Sequence, residues 1–178
     1  ILYINIISDV FPALALGVTP GGRTMDQAPR RTDEAVLTRR HWAVIGAYGL
    51  LIGGSVLAVF AYALLALDMT ETRAVAISFA TFSLARLLHT LNMREPETPL
   101  LEDPVVTNRY VWGAIGIGLL LLLAALYVPY VSDALQTVDP GPDGWVLIVI
   151  GSVVPLIVGQ LTKLRAVRRL AARFGLAD

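Results

Sequence analysis

The sequence predicts an all-α membrane protein, a bundle of about five transmembrane helices with a Pro-kinked first helix. Three observations carry that expectation. Of 178 residues, 56% are hydrophobic and only 16% are charged, against about 25% charged in soluble domains. Five stretches, Ile1–Val18, Trp42–Leu67, Ala74–Met93, Val111–Ser132 and Gly144–Thr162, are apolar over the roughly 20 residues that a helix needs to cross a bilayer. None alternates as a transmembrane β-strand does, and each is too long for one.

The first stretch, ILYINIISDVFPALALGV, is the most informative. A carboxylate in hydrocarbon costs about 2.5–3.5 kcal/mol, so an acid there usually marks an ion or proton path. On an α-helix Asn5, Ser8 and Asp9 fall at i, i+3 and i+4 and share one side. Pro12 offers no N–H to the carbonyl of Ser8 and crowds it, which leaves a bare backbone oxygen beside the carboxylate. Carboxylate, amide, hydroxyl and carbonyl oxygens are what a hard cation takes as ligands. The competing account is a kinked helix whose polar groups bond a neighbouring helix.

The segment that follows, Thr19–Arg40, is rich in Gly, Pro and charge and reads as a surface connector. Its acids Asp26, Asp33 and Glu34 alternate with arginines, which suits either a solvated loop or a docking surface for a cytoplasmic domain. Trp42–Leu67 carries no charge and is punctuated by glycines; Gly49 and Gly53 form a GxxxG pair that permits close helix approach. Ala74–Met93 carries only Arg86 and His89. Val111–Ser132 and Gly144–Thr162 are uncharged, and Pro155 in the last is expected to kink it, with Gln160 making an amide bond to a neighbouring helix. Trp42, Tyr110, Trp112, Tyr127, Tyr130 and Trp145 stand near span ends, as interfacial anchors do. Residues 1–163 thus read as a transmembrane module and 164–178 as a basic cytoplasmic tail suited to an anionic leaflet.

Basic residues set the expected orientation. Arg23, Arg30, Arg31, Arg39, Arg40, Arg94 and Arg109 and the cluster Lys163–Arg173 fall on one side of the bundle; Arg73 alone falls on the other. By the positive-inside rule the first loop, the third loop and the C-terminus are cytoplasmic. The formal net charge is zero, so nothing points to nucleic acid, and without cysteine there is no disulfide or thiolate metal site. No initiator methionine or charged leader precedes Ile1, and the chain reads as a piece of something longer.

With these residues in view, the chain resembles the C-terminal transmembrane module of P-type cation-transporting ATPases, in the calcium or sodium/potassium pump branch. YINIISDVFPALALG at Tyr3–Gly17 is similar to the sixth transmembrane helix of that family, MDQAPRR at Met25–Arg31 to its Met-Asp-x-x-Pro-Arg loop, and LLHTLNMR at Leu87–Arg94 to the end of its eighth helix. The resemblance implies that Asn5, Ser8 and Asp9 bind the transported cation, whether calcium, sodium or another. It also implies a coupling role for the loop with Asp26, Arg30 and Arg31. ATP and Mg would be bound only by domains outside this chain, which has no Walker-type loop, zincin motif or nucleophile elbow and is not catalytic alone. The implied partners are membrane lipid and the remaining helices and cytoplasmic domains of the same pump, and the implied setting is the plasma membrane of a prokaryote.

One residue departs from the family pattern. Calcium pumps with two sites carry Glu in the eighth helix where Arg86 stands here, which argues against a second divalent site. Asp9 lies roughly 13 Å and Arg86 roughly 10 Å from the cytoplasmic ends of their helices, so Arg86 is a possible counter-ion for Asp9. Alternatively it snorkels to the interface beside His89. Two other classes compete with a pump module. One is a stand-alone multi-span subunit packed against another transporter or channel. The other is half of a secondary transporter, which predicts an inverted repeat that the spans do not show.

Overall fold

The computed structural model describes residues 2–18, 37, 39–93 and 103–162. The segment with Asp26, Arg30 and Arg31 and the basic tail lie outside the described residues. The chain forms α1 (Leu2–Asn5), a π-helical segment (Ile6–Val10), α2 (Phe11–Gly17), α3 (Arg39–Leu65), α4 (Glu71–His89) with a 3₁₀ turn (Thr90–Met93), α5 (Pro104–Thr107), α6 (Arg109–Tyr127), α7 (Pro129–Leu135) and α8 (Gly141–Thr162). No strand occurs among the described residues. Among the described residues, four helices are long and apolar enough to cross a membrane, and Leu2–Gly17 is a shorter apolar helix.

α4 is the hub. Half of its membrane window is buried, against 11% for α3, and it packs on α3, α6, α8 and the π segment. Its composition explains this: Ala74, Ala76, Ala80, Thr81, Ser83 and Ala85 are all buried, and small side chains let helix backbones approach where lipid offers no hydrophobic driving force. Thr70 caps its start by accepting from the Arg73 N–H. Arg73 Nε then donates to the Asp139 carbonyl at 3.2 Å, which ties the start of α4 to the start of α8.

Two prolines shape the other long helices. Val128 precedes Pro129 and is extended, with φ −85° and ψ 114°, because a proline ring crowds the α conformation of the residue before it. The expected span Val111–Ser132 therefore stops at Tyr127, and the chain restarts as α7. In α8, Pro155 has no N–H for the carbonyl of Gly151, four residues earlier. Ser55 of α3 replaces that donor, its Oγ lying 2.6 Å from the Gly151 oxygen. α3 comes this close because Gly151 has no side chain; a Cβ there would sit 2.6 Å from Val59 Cγ2 and 2.8 Å from Thr81 Cγ2.

Gln160 makes the interhelical bond that its position suggested, its Nε2 donating to the Leu91 carbonyl at 3.1 Å and to Asn92 Oδ1 at 2.8 Å. The Gly49–Gly53 pair, by contrast, faces open space among the described residues. At the α6–α8 end, Trp145 Nε1 donates to Tyr127 Oη at 2.7 Å, and Tyr127 donates to Asp139 Oδ1 at 3.1 Å. The aromatic residues there are joined to one another as well as placed at span ends.

Candidate ion site

The first helix is broken where its polar residues lie. Ile6–Val10 winds as a π-helix between α1 and α2, so the expected simple proline kink is replaced by a wide turn. Pro12, in the first turn of α2 and buried, supplies the reason. With bonds reaching five residues ahead, the ladder stops where Pro12 would have to donate to the Ile7 carbonyl.

The wide turn also divides the expected patch. Asn5 and Asp9 are exposed, whereas Ser8 is buried. Ser8 Oγ donates to the Ile4 carbonyl at 2.8 Å and stands 3.4 Å from Asp9 Oδ1. Ser8 thus stands beside the carboxylate on the packed side, while Asn5 and Asp9 are exposed. Asn5 makes no side-chain cap at the start of the π segment.

Asp9 meets Arg86. Nη2 of Arg86 lies 2.5 Å from Asp9 Oδ1, with the side chains 30% and 47% exposed. The guanidinium also stands 5.3 Å from the ring centroid of Phe82, one turn back along α4. Arg86 is thus turned away from the His89 end of the helix, the opposite of what snorkelling toward that end requires. His89 is held separately, its ring 4.5 Å from that of Tyr48 on α3.

Among the described residues, Asp9 is the only acid in the middle of an apolar helix, and no group of three or more His, Cys, Asp or Glu side chains could hold a metal ion. A hard cation such as calcium takes six to eight oxygens. On the first helix the described residues place one carboxylate, one exposed amide and one hydroxyl, fewer oxygens than such a sphere needs.

Sequence reasoning missed how the first helix is anchored. Tyr3 Oη donates to the Leu121 carbonyl of α6 at 2.8 Å, and Asn108 Nδ2 donates to the Ala15 carbonyl at 3.4 Å. Asn108 stands just before a long apolar run, the usual place of a helix cap, and that signal was available.

The family described as cation transporting ATPase, C-terminus, matches residues 1–165. The chain is similar to the calcium-transporting ATPase of Bacillus subtilis (strain 168), 35% identical over 167 residues, which cover 90% of this chain and 18% of that protein. It is 25% identical over 179 residues to calcium-transporting ATPase 1 of Bacillus cereus, covering 92% of this chain and 20% of the relative. With calcium-transporting ATPase 1 of Saccharomyces cerevisiae it shares 27% over 166 residues, 92% of this chain and 17% of that one. The chain thus spans about a fifth of the length of these relatives. A match over nearly all of its residues, in a chain of long apolar helices, places this chain in the cation-transporting ATPase family as its C-terminal membrane module.

Proposed function

We propose that the chain is the C-terminal membrane part of an ATP-driven calcium pump. In this reading Asn5, Ser8 and Asp9 supply ion-site oxygens from the first helix. Arg86 serves as a fixed counter-cation in place of a second calcium, and the pump moves one calcium per cycle. The observation that carries the reading is the Asp9 carboxylate at a π break, paired with Arg86, in a chain whose relatives are named calcium-transporting ATPases. Those names favour calcium over sodium.

The remaining ion oxygens come from other helices of the same pump, and ATP and Mg are bound by its cytoplasmic domains. The loop Thr19–Arg40, with Asp26, Arg30 and Arg31, faces the cytoplasm and relays the state of the ion site to those domains. Residues 1–163 act as the transmembrane module in contact with lipid, and 164–178 as a basic tail at the cytoplasmic leaflet. The plasma membrane of a prokaryote is the proposed setting.

Sealed vesicles containing the full-length native polypeptide test this directly. ATP is expected to drive calcium into them, with phosphoenzyme formation dependent on calcium and indifferent to sodium. Sodium-dependent phosphorylation would overturn the ion assignment. A native polypeptide of about the mass of this chain, 19.2 kDa, with no phosphoenzyme would favour the stand-alone subunit.

A further inference from the structure

Three contacts run down the length of the first helix, and all three fall on α6 or its N-cap residue. Tyr3 Oη bonds the Leu121 carbonyl at 2.8 Å. One step further, the Ile7 carbonyl lies against Gly118, where a Cβ would stand 3.2 Å from that oxygen and 2.5 Å from Leu87 Cδ2. At the far end Asn108 Nδ2 reaches the Ala15 carbonyl at 3.4 Å. As residue numbers rise along the first helix, from 3 through 7 to 15, they fall along α6 from 121 through 118 to 108. The two helices are therefore in one antiparallel register across the π segment.

Ala15 lies in the last turn of α2. Asn108 donates to its carbonyl while its own Oδ1 accepts from the Tyr110 N–H at 2.8 Å and caps α6. The two halves are also seated in separate apolar clusters. Ile7 packs with Leu87 and Leu122, with Tyr3 alongside; Ala15 packs with Val111 and Ala114, with Phe11 alongside. Asp9 lies between these anchors, held by Ser8 and Arg86.

We infer that α6 is a splint for the ion-site helix, with Tyr3 and Asn108 as positioning residues that fix the depth and rotation of Asp9 from either side of the π segment. The inference rests on the ligand role proposed for Asp9. Without the two bonds, the halves slide relative to each other and the carboxylate leaves the geometry that the cation and Arg86 require.

The test uses the full-length pump with Tyr3→Phe, Asn108→Asp and the pair together, and Asp9→Asn as the reference. Tyr3→Phe keeps the ring and removes the hydroxyl. Asn108→Asp keeps a good helix cap and removes the amide donor to Ala15. Interhelical bonds in membranes carry modest energies, so each single variant is expected to lower the apparent calcium affinity of phosphorylation by roughly three- to tenfold. The amount of folded protein and the rate at saturating calcium should stay unchanged, and the pair should lose more than either. Wild-type affinity in both single variants, beside a defective Asp9→Asn, overturns the splint and leaves the ligand role standing. A loss of folded protein at unchanged affinity also overturns it, by reducing the contacts to general stability. Wild-type behaviour in all variants, Asp9→Asn included, overturns the ligand role and the splint together.

Discussion

Arg86 and Asp9, 77 positions apart in the chain, meet at 2.5 Å between the last turn of α4 and the π segment of the first helix. Two charges that are each costly in a membrane offset part of that cost by pairing. The pair also explains how a helix can hold an aspartate at mid-span before any cation arrives. Replacing Arg86 by Gln removes the fixed positive charge and leaves the carboxylate to the transported ion. The expected outcome is a higher ratio of calcium to ATP or a severalfold shift in apparent calcium affinity, measured by uptake against hydrolysis in sealed vesicles. Unchanged ratio and affinity would make Arg86 a packing residue.

Ser55 is expected to matter for stability through Gly151. Its hydroxyl satisfies the carbonyl that Pro155 deprives of a helical donor. Ser55→Ala should cost about 1 kcal/mol, read as a lower unfolding temperature in detergent, and Ser55→Thr should recover most of it. Equal stability in Ser55→Ala would mean that the carbonyl is satisfied in another way.

Gly159 and Gly53 offer a contrast in space. A Cβ on Gly159 would collide with the Asn92 amide, whereas one on Gly53 meets nothing within 4 Å. Gly159→Ala must push Asn92 out of its bond with Gln160 and is expected to cost about 1–3 kcal/mol. Gly53→Ala should be neutral or slightly stabilising within this module. A matching drop in unfolding temperature for Gly53→Ala in the full-length protein would reveal a helix seated on that face.

The loop after the first helix carries a separate prediction. If Thr19–Arg40 relays the ion site to the cytoplasmic domains, replacing Arg30 and Arg31 by Ala should depress calcium-stimulated ATP hydrolysis severalfold. Calcium binding at equilibrium should be nearly unchanged. Hydrolysis that stays coupled in the double variant would reduce the segment to a connector.

Much of this architecture is legible in the sequence because lipid imposes a simple rule: a long apolar run closes its own backbone bonds and becomes a helix. The apolar runs, the reach of Gln160 and the cost of Asp9 all follow from that rule. What escaped lies in the proline geometry. Pro12 announced a break, yet not its form as a π turn, nor that the Ile7 carbonyl in that turn lies against Gly118 of α6. That contact joins residues more than a hundred positions apart. Pro129 was readable locally, since Val128 before it is forced to extend, and the end of α6 at Tyr127 follows. The acceptors of the Tyr3, Ser55 and Asn108 side chains were hidden for a different reason, although Asn108 was readable as a cap: each acceptor is a backbone carbonyl, which every residue has, so no residue type marks the partner.

The central claim is that the Asp9 carboxylate is a ligand of the transported cation, and Asp9→Asn in the full-length pump tests it most directly. The amide keeps the size of the side chain and removes its charge, which supplies most of the attraction for a hard cation. Calcium-dependent phosphorylation from ATP is expected to be lost across the accessible calcium range, while the protein remains folded in the membrane. Phosphorylation and transport with wild-type calcium dependence in Asp9→Asn would contradict the account.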